Sequence, residues 1–308
     1  MPALSAVRAF NAAYAPTYLP VAIFVDGTSG IGRATAETFA RSTKGNAHII
    51  LVGRNVAAAH AILGSFPKPT FSSLPWKHEF VECDISLLRH VHTTVVALLR
   101  RLRRVNFLML STGSLSLAGR DETTEGLDRG LVLGYYTRWA FAVGMLSALR
   151  RAREAGEPAG VMSVLTAGHG HHVDLNDLGL DRGYTGKAAM DASATYTELM
   201  VEELAVRYPD LSFTYTLPGL INTPLFAFEH WGARLTSPVI KLGLHVLAKS
   251  EPDAAEYQLY GLLHSNPGVH RRGEHGDEIT AVAAYGSGSS AASRALWAHT
   301  REVVNARV

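Results

Sequence analysis

Residues 21–41, VAIFVDGTSGIGRATAETFAR, set an all-apolar run against a glycine-rich turn and then a helix-forming segment. Five apolar residues in a row, Val21 to Val25, suit a strand buried on both faces, as strands of a parallel sheet are. Gly30 and Gly32 carry no side chain, so backbone amides at the start of the next helix can approach a phosphate. Thr28 and Ser29 add hydroxyl donors. The turn breaks the usual pattern at one place, where Asp26 stands for the first glycine. A carboxylate beside a diphosphate costs a few kcal/mol at surface-like dielectric. That cost shrinks if Asp26 accepts from a ribose hydroxyl or pairs with an Arg. A glycine-rich turn without a ligand is the alternative.

The strand–helix alternation continues along the chain. HIILV (48–52), KHEFVECD (77–84), NFLMLS (106–111), VMSVL (161–165) and LSFTYTL (211–217) read as strands. Helical patterns run over 35–41, 55–63, 87–104, 126–152 and 188–208. FPKPTFSSLP (66–75) is punctuated by prolines and reads as loop. Alternation of this kind predicts an α/β fold: a doubly wound parallel sheet in three αβα layers, with right-handed crossovers. Residues 1–20 read as an N-terminal extension, helical from Ser5, and 21–308 as a single domain. GSGSS (286–290) leads into a C-terminal helix over 290–305.

Composition narrows the function classes. The chain has 308 residues, 47% hydrophobic and 18% charged, which excludes a disordered chain and supports a large core. A net charge of +2 gives no strong pull toward nucleic acid or anionic membranes. The basic stretches LLRRLRR (98–104) and LRRAR (149–153) fall at predicted helix ends, where cations suit the helix dipole. Cys83 is the only cysteine, so no internal disulfide forms and a cytoplasmic location is expected. No apolar run approaches the roughly 20 residues of a membrane span, and residues 1–20 lack the pattern of a signal peptide.

Several ordered segments together carry a resemblance: GTSGIGRA after strand one, CDIS after strand three, LSTG after strand four, LTAG after strand five and LPGLINTPL after strand six. The chain resembles the short-chain dehydrogenase/reductase family from about residue 20 to about residue 265. The resemblance implies a Rossmann-type fold, a nicotinamide cofactor and an alcohol–ketone substrate. It places Thr28, Ser29, Gly30, Ile31, Gly32 and Arg33 in the loop around the cofactor diphosphate. Arg54 and Asn55 follow strand two, Asp84 and Ile85 would meet the adenine, and Gly113 would lie under the adenosine half. Pro218, Gly219, Ile221 and Thr223 would flank the nicotinamide. Arg54, with Arg33 as a second basic residue, favours NADP(H) over NAD, because a guanidinium fork suits a 2′-phosphate. Asp84 could also cap a helix, and the two roles do not exclude each other. Relatives often form homodimers or homotetramers through the helices at 126–152 and 188–208.

The family's acid or base is a Tyr, helped by a Lys four residues later, a Ser and an Asn. Tyr-x-x-x-Lys is absent here. Counting back from Leu204-Ala205 and Pro218-Gly219 puts Met190 in the Tyr place and Ala194 in the Lys place. Thr166 takes the Ser place and keeps a hydroxyl; Gly134 takes the Asn place. Upstream, YTGK (184–187) offers Tyr184 and Lys187 at a spacing that would share a helix face; a loop Tyr and a solvated Lys is the plain alternative. HGHH (169–172) follows Thr166, and His169, nearest to it in sequence, is a proton-transfer candidate. Cysteine partners and zinc spacing are missing, so no metal is expected. Phe226, Phe228 and Trp231, in a substrate lid at about 224–250, point to an apolar small-molecule substrate or to packing of the lid.

Three functions follow. The first is an NADP(H)-dependent oxidoreductase acting on a carbonyl or alcohol of a small, largely apolar, secondary-metabolite-like substrate with a non-standard catalytic set. The second is a non-redox isomerase, cyclase, dehydratase or epimerase on the same scaffold. The third is a catalytically silent NADP-binding protein.

Overall fold

Seven short strands run parallel in one sheet in the computed structural model, which describes residues 1–69, 77–113, 119–221, 249–264, 266–280 and 289–307. They are β1 (Val21–Val25), β2 (His48–Gly53), β3 (Glu79–Glu82), β4 (Phe107–Leu110), β5 (Gly160–Val164), β6 (Ser212–Thr216) and β7 (Gly268–Arg272). Their order is β3-β2-β1-β4-β5-β6-β7. The chain winds outward from β1 in one direction and from β4 in the other. In open α/β sheets, ligands bind beyond the strand carboxyl ends at this switch point. The doubly wound parallel sheet expected from the alternation is therefore present.

The helices are α1 (Leu4–Ala12), α2 (Gly30–Ser42), α3 (Val56–Ser65), α4 (Leu88–Arg101), α5 (Arg129–Leu131), α6 (Thr137–Glu154), α7 (Gly186–Arg207), α8 (Glu251–Leu263) and α9 (Ser289–Asn305). A π-helical turn, Val132–Tyr136, joins α5 to α6. Side chains of successive strand residues go to opposite faces. Ile23 and Val25 of β1 thus enter the core shared with α4, α6, α7 and α9, whereas Ala22 and Phe24 enter the core shared with α2 and α8. Full burial of each large apolar side chain contributes about 1.5–3 kcal/mol, and β1, β4, β5 and β6 are buried almost throughout.

Three elements depart from expectation. The helical region expected over 126–152 begins only at Arg129 and contains the π-helical turn. Helix α8 and strand β7 follow the region expected as lid. Ser250 caps α8 by accepting from the Asp253 amide at 3.3 Å, and a Pro sits in its first turn. Strand β7 is a half-buried edge strand of sequence GVHRR, so it has no apolar signature. The N-terminal segment, with α1, packs on the body of the domain. Val7 is buried, Asn11 Nδ2 donates to the Glu256 carbonyl (2.9 Å) and Oε2 (2.7 Å) of α8, and Arg8 pairs with Asp253 at 2.6 Å. It lies on the α2/α8 side of the sheet. Among the described residues, no helix is long and apolar enough to cross a membrane.

Candidate active site

The turn after β1 keeps the shape of a glycine turn with a different residue in it. Asp26 has φ 64°, the left-handed conformation that Asp and Asn tolerate better than other side chains. Its amide donates to the Val52 carbonyl at 2.8 Å. Gly30 is left-handed too, at φ 51°. Gly32 has no room for a side chain, because a Cβ there would lie 2.7 Å from the Asp26 carbonyl oxygen. Ser29 caps α2 without a side-chain hydrogen bond. Burial raises the Asp26 carboxyl above its ordinary value, opposed by the charges of Arg54 and Arg138.

Thr28 is buried against Gly53, and the Ile31 carbonyl accepts from Thr35 Oγ1 at 2.7 Å. Arg54 is exposed at the end of β2, and its charge acts on both Asp26 and Asp84. Arg33 is ion-paired with Glu251 of α8 and lies 4.0 Å from Glu37. Asn55 caps α3, accepting from the Ala58 amide at 3.0 Å. Asp84 accepts from the Ser86 amide (3.0 Å) and hydroxyl (2.7 Å). Burial alone would raise its carboxyl, but those bonds and Arg54 hold it below its ordinary value. Asp84 does not cap α4: the amides of Leu88 and Arg89 donate to Glu125, at 2.7 and 3.1 Å. Ile85 is buried, and its carbonyl accepts from Thr137 Oγ1 at 2.6 Å. Gly113, beyond β4, faces open space. Pro218 and Gly219 follow β6; Gly219 has φ 77°, and a Cβ there would come within 2.9 Å of Glu274 Cβ. Ile221 is buried and bridges to Lys249. Thr223, Phe226, Phe228 and Trp231, with nearly all of the expected lid, lie outside the described residues.

A cavity of about 690 Å³ opens beyond the carboxyl ends of β4, β5 and β6, within the size range of small-molecule sites. Thr166, Gly134, Met190 and Ala194 all line it. The four positions reached by counting along the sequence therefore converge on one space. Gly134 sits in the π-helical turn, a feature that often marks functional sites. The turn frees backbone carbonyls, and threonines take them: Thr112 Oγ1 donates to Leu133 O at 2.7 Å and Thr197 Oγ1 to Gly134 O at 3.5 Å.

Thr166 is held from below. Its amide donates to the Tyr215 hydroxyl at 3.3 Å, and that hydroxyl donates to the Ala194 carbonyl at 3.2 Å. Burial pushes the Tyr215 phenol up to about 12, against the hydrogen bonds from Thr166. Close by, Arg138 is fully buried. Its guanidinium donates to Leu110 O at 2.8 Å, to Val164 O at 2.9 Å and to Thr112 O. Burial pulls its pKa down to about 10, so it stays charged at neutral pH. Neither Arg138 nor Tyr215 was singled out by motif. The available signal was a lone Arg within the apolar stretch YYTRWAFA.

Tyr184 lines the cavity but precedes α7, whose N-cap is Thr185. Lys187 lies in the first turn of α7, so the two share no helix face. The Tyr184 hydroxyl bonds to Asp128, and burial with that carboxylate pushes the phenol up to about 12. Lys187 is ion-paired with Asp191. His169 and His171 both line the cavity. The His169 amide donates to Thr166 O at 3.1 Å, and His171 Nε2 lies 3.4 Å from Asp191 Oδ1. Among the described residues, no group of three or more His, Cys, Asp or Glu is placed to hold a metal ion.

No family model matches the chain. An oxidoreductase of Emericella nidulans is 36% identical over 231 residues, 73% of this chain and 66% of the relative. The oxidoreductase andH of Emericella variicolor is 33% identical over 226 residues, 73% of this chain and 65% of the relative. The chain thus spans just under two thirds of the length of these curated relatives. A solved short-chain dehydrogenase from Sphingobium yanoikuyae in complex with NADPH superposes with a TM-score of 0.56, at 15% identity, over 82% of this chain and 87% of that one.

Proposed function

We propose that this chain, which resembles the short-chain dehydrogenase/reductase family in its ordered segments and in its fold, is an NADP(H)-dependent oxidoreductase interconverting a carbonyl and an alcohol on a small, largely apolar substrate. The observation that carries this reading is the convergence of Thr166 with positions 134, 190 and 194 on one cavity beside the switch point of the sheet.

The turn after β1 fits a dinucleotide. The cradle at Gly32, which a Cβ would fill, allows backbone to approach a diphosphate, and the left-handed Asp26 and Gly30 keep the turn tight. Arg54 would meet a 2′-phosphate and Asp84 the adenine. When bound, the nicotinamide supplies or takes the hydride. Thr166 orients the substrate oxygen, its hydroxyl fixed beside Tyr215. The proton is moved by Tyr184 or by a histidine of the 169–172 loop. A phenol raised to about 12 is a poor base at neutral pH, which weighs toward the histidines. Kinship to two fungal oxidoreductases supports the redox assignment.

Calorimetric titration with NADPH, and with NADH for comparison, tests the reading. Tight NADPH binding with weak NADH binding is expected. No binding of either would sink it. A non-redox reaction is the second reading, favoured by Met190 and Ala194 in place of the Tyr and Lys and by Asp128 beside Tyr184. Turnover without change in nicotinamide absorbance would select it.

A further inference from the structure

We propose that His171, held by Asp191, exchanges the proton with the substrate oxygen in this cavity. The inference rests on the reading above, that the cavity holds the carbonyl or alcohol. Both side chains line the cavity together with Thr166. Asp191 directly follows Met190, the place of the family's Tyr, so the acid–base function moves by one residue on α7. The group carrying the proton then comes from the loop after β5.

The loop is clamped at that residue. The His171 amide donates to Thr195 Oγ1 at 2.8 Å. The same hydroxyl lies 3.1 Å from the His171 carbonyl oxygen and 3.0 Å from the Asp191 carbonyl oxygen. Thr195 is fully buried, so one hydroxyl ties the backbones of both members of the pair to α7. The two Asp191 oxygens divide their work: Oδ1 faces His171 Nε2 at 3.4 Å, and Oδ2 takes Lys187. Lys187 on Oδ2 leaves Oδ1 to face the His171 ring. Nδ1 of the ring is left for the substrate oxygen. The charged and titratable groups near the ring are Asp191 and Lys187 of α7, His172 next to it in the chain, and His169, Asp121, Asp128, Arg129 and Tyr184 of the cavity lining. Tyr184 is already bonded to Asp128, and of the two histidines that line the cavity it is His171 that has a carboxylate within ion-pair distance.

In reduction, the carbonyl carbon gains the hydride from the reduced nicotinamide. The π pair of the C=O bond becomes an oxygen lone pair and takes the His171 proton, so the N–H bond breaks and the O–H bond forms. Neutral imidazole remains and is reprotonated by solvent. Oxidation runs the same steps in reverse.

The test uses the full chain, wild type and the variants His171→Gln and Asp191→Asn. Histidine titration is followed by NMR in the free protein, His171 being identified by the signal missing in His171→Gln. Asp191→Asn should displace the His171 ring signals at fixed pH; ring signals that do not move overturn the pairing. NADPH consumption is then measured against pH on a panel of apolar aldehydes and ketones. His171→Gln should lose roughly 10²–10⁴-fold in rate and the limb of the pH profile that follows the His171 midpoint, while still binding NADPH. Equal rate and an unchanged profile in His171→Gln would overturn the inference and leave the oxidoreductase reading standing. A wild-type protein that binds no NADPH and reduces none of the panel would overturn both.

Discussion

Gly134 of the π-helical turn lies so close to Ser193 of α7 that a Cβ on residue 134 would come within 2.7 Å of Ser193 Cβ. The place that carries an Asn in the family is thus filled by a neighbouring helix. Gly134→Asn should overpack this contact and destabilise the protein by about 1–3 kcal/mol. Urea unfolding would measure it. Adding Ser193→Gly should recover part of the loss, and a variant as stable as wild type would show that the helices can part freely.

Asp26 joins a strained conformation to an unfavourable charge. Asp26→Gly should relieve both and tighten NADPH binding about tenfold, corresponding to about 1.4 kcal/mol. Asp26→Asn keeps the left-handed preference and removes only the charge, so comparing the two by calorimetry separates the effects. The pH dependence has a defined sign. The folded-state value of Asp26 is raised by burial, so its contribution to stability is fully present below the ordinary carboxylate value. It is lost as pH rises through the raised value. Asp26→Asn should therefore be more stable than wild type at neutral pH, with the gap closing in acid.

Glu79 titrates in the opposite sense. Burial alone would raise it, but hydrogen bonds from His48 (2.8 Å) and Arg101 outweigh burial and lower it to about 2. Its contribution is present above the ordinary value of 4.5 and is lost as pH falls toward about 2. Glu79→Gln should flatten the acid limb of the stability curve in that window, as followed by thermal melts at stepped pH. An acid limb identical to wild type would mean that the His48–Glu79–Arg101 cluster is not a stability element.

What could be read from the sequence, and what could not, divides along physical lines. Strands buried on both faces, such as VAIFV and HIILV, must be apolar throughout, and they stood out as such. Strand β7 has one open edge, needs no such run and left no signal. Counting along the chain leads to positions 134, 166, 190 and 194, and all four line one cavity. The acid–base surroundings were illegible. They depend on Asp128 meeting Tyr184 and Asp191 meeting His171, contacts between different segments of the chain. The Lys187–Asp191 pair, four apart on α7, is legible from its spacing. Helix α8 also carried its start signal, Ser250 with Pro252 and Asp253.

Arg54 is the exposed cation beside the β2 end of the crevice, whereas Arg33 is occupied by Glu251. The two should therefore contribute unequally to cofactor choice. Arg54→Ala should weaken NADPH binding by roughly tenfold to a hundredfold, since bonds to a charged group are worth about 1.5–3 kcal/mol, and should leave NADH binding nearly unchanged. Arg33→Ala should have a smaller effect on NADPH and a larger one on thermal stability. Equal losses of NADPH affinity in both variants would show that Glu251 releases Arg33 on binding.

Tyr215 offers a way to separate positioning from acid–base work. Its hydroxyl takes the Thr166 amide and donates to the Ala194 carbonyl, in a place with no access to solvent. Tyr215→Phe leaves both backbone groups without that partner, at a cost of about 1–3 kcal/mol in stability. It also frees the segment that carries Thr166. If Thr166 orients the substrate oxygen, misplacing it should lower kcat more than it raises KM, because the lost interaction is stronger in the transition state than in the bound substrate. The pH profile should keep its shape, since Tyr215 holds Thr166 in position and exchanges no proton with substrate. A profile whose midpoint moves in Tyr215→Phe would instead make the Tyr215 hydroxyl part of the proton path. The buried charge of Arg138 beside it would then take over the role that the family gives to its Lys.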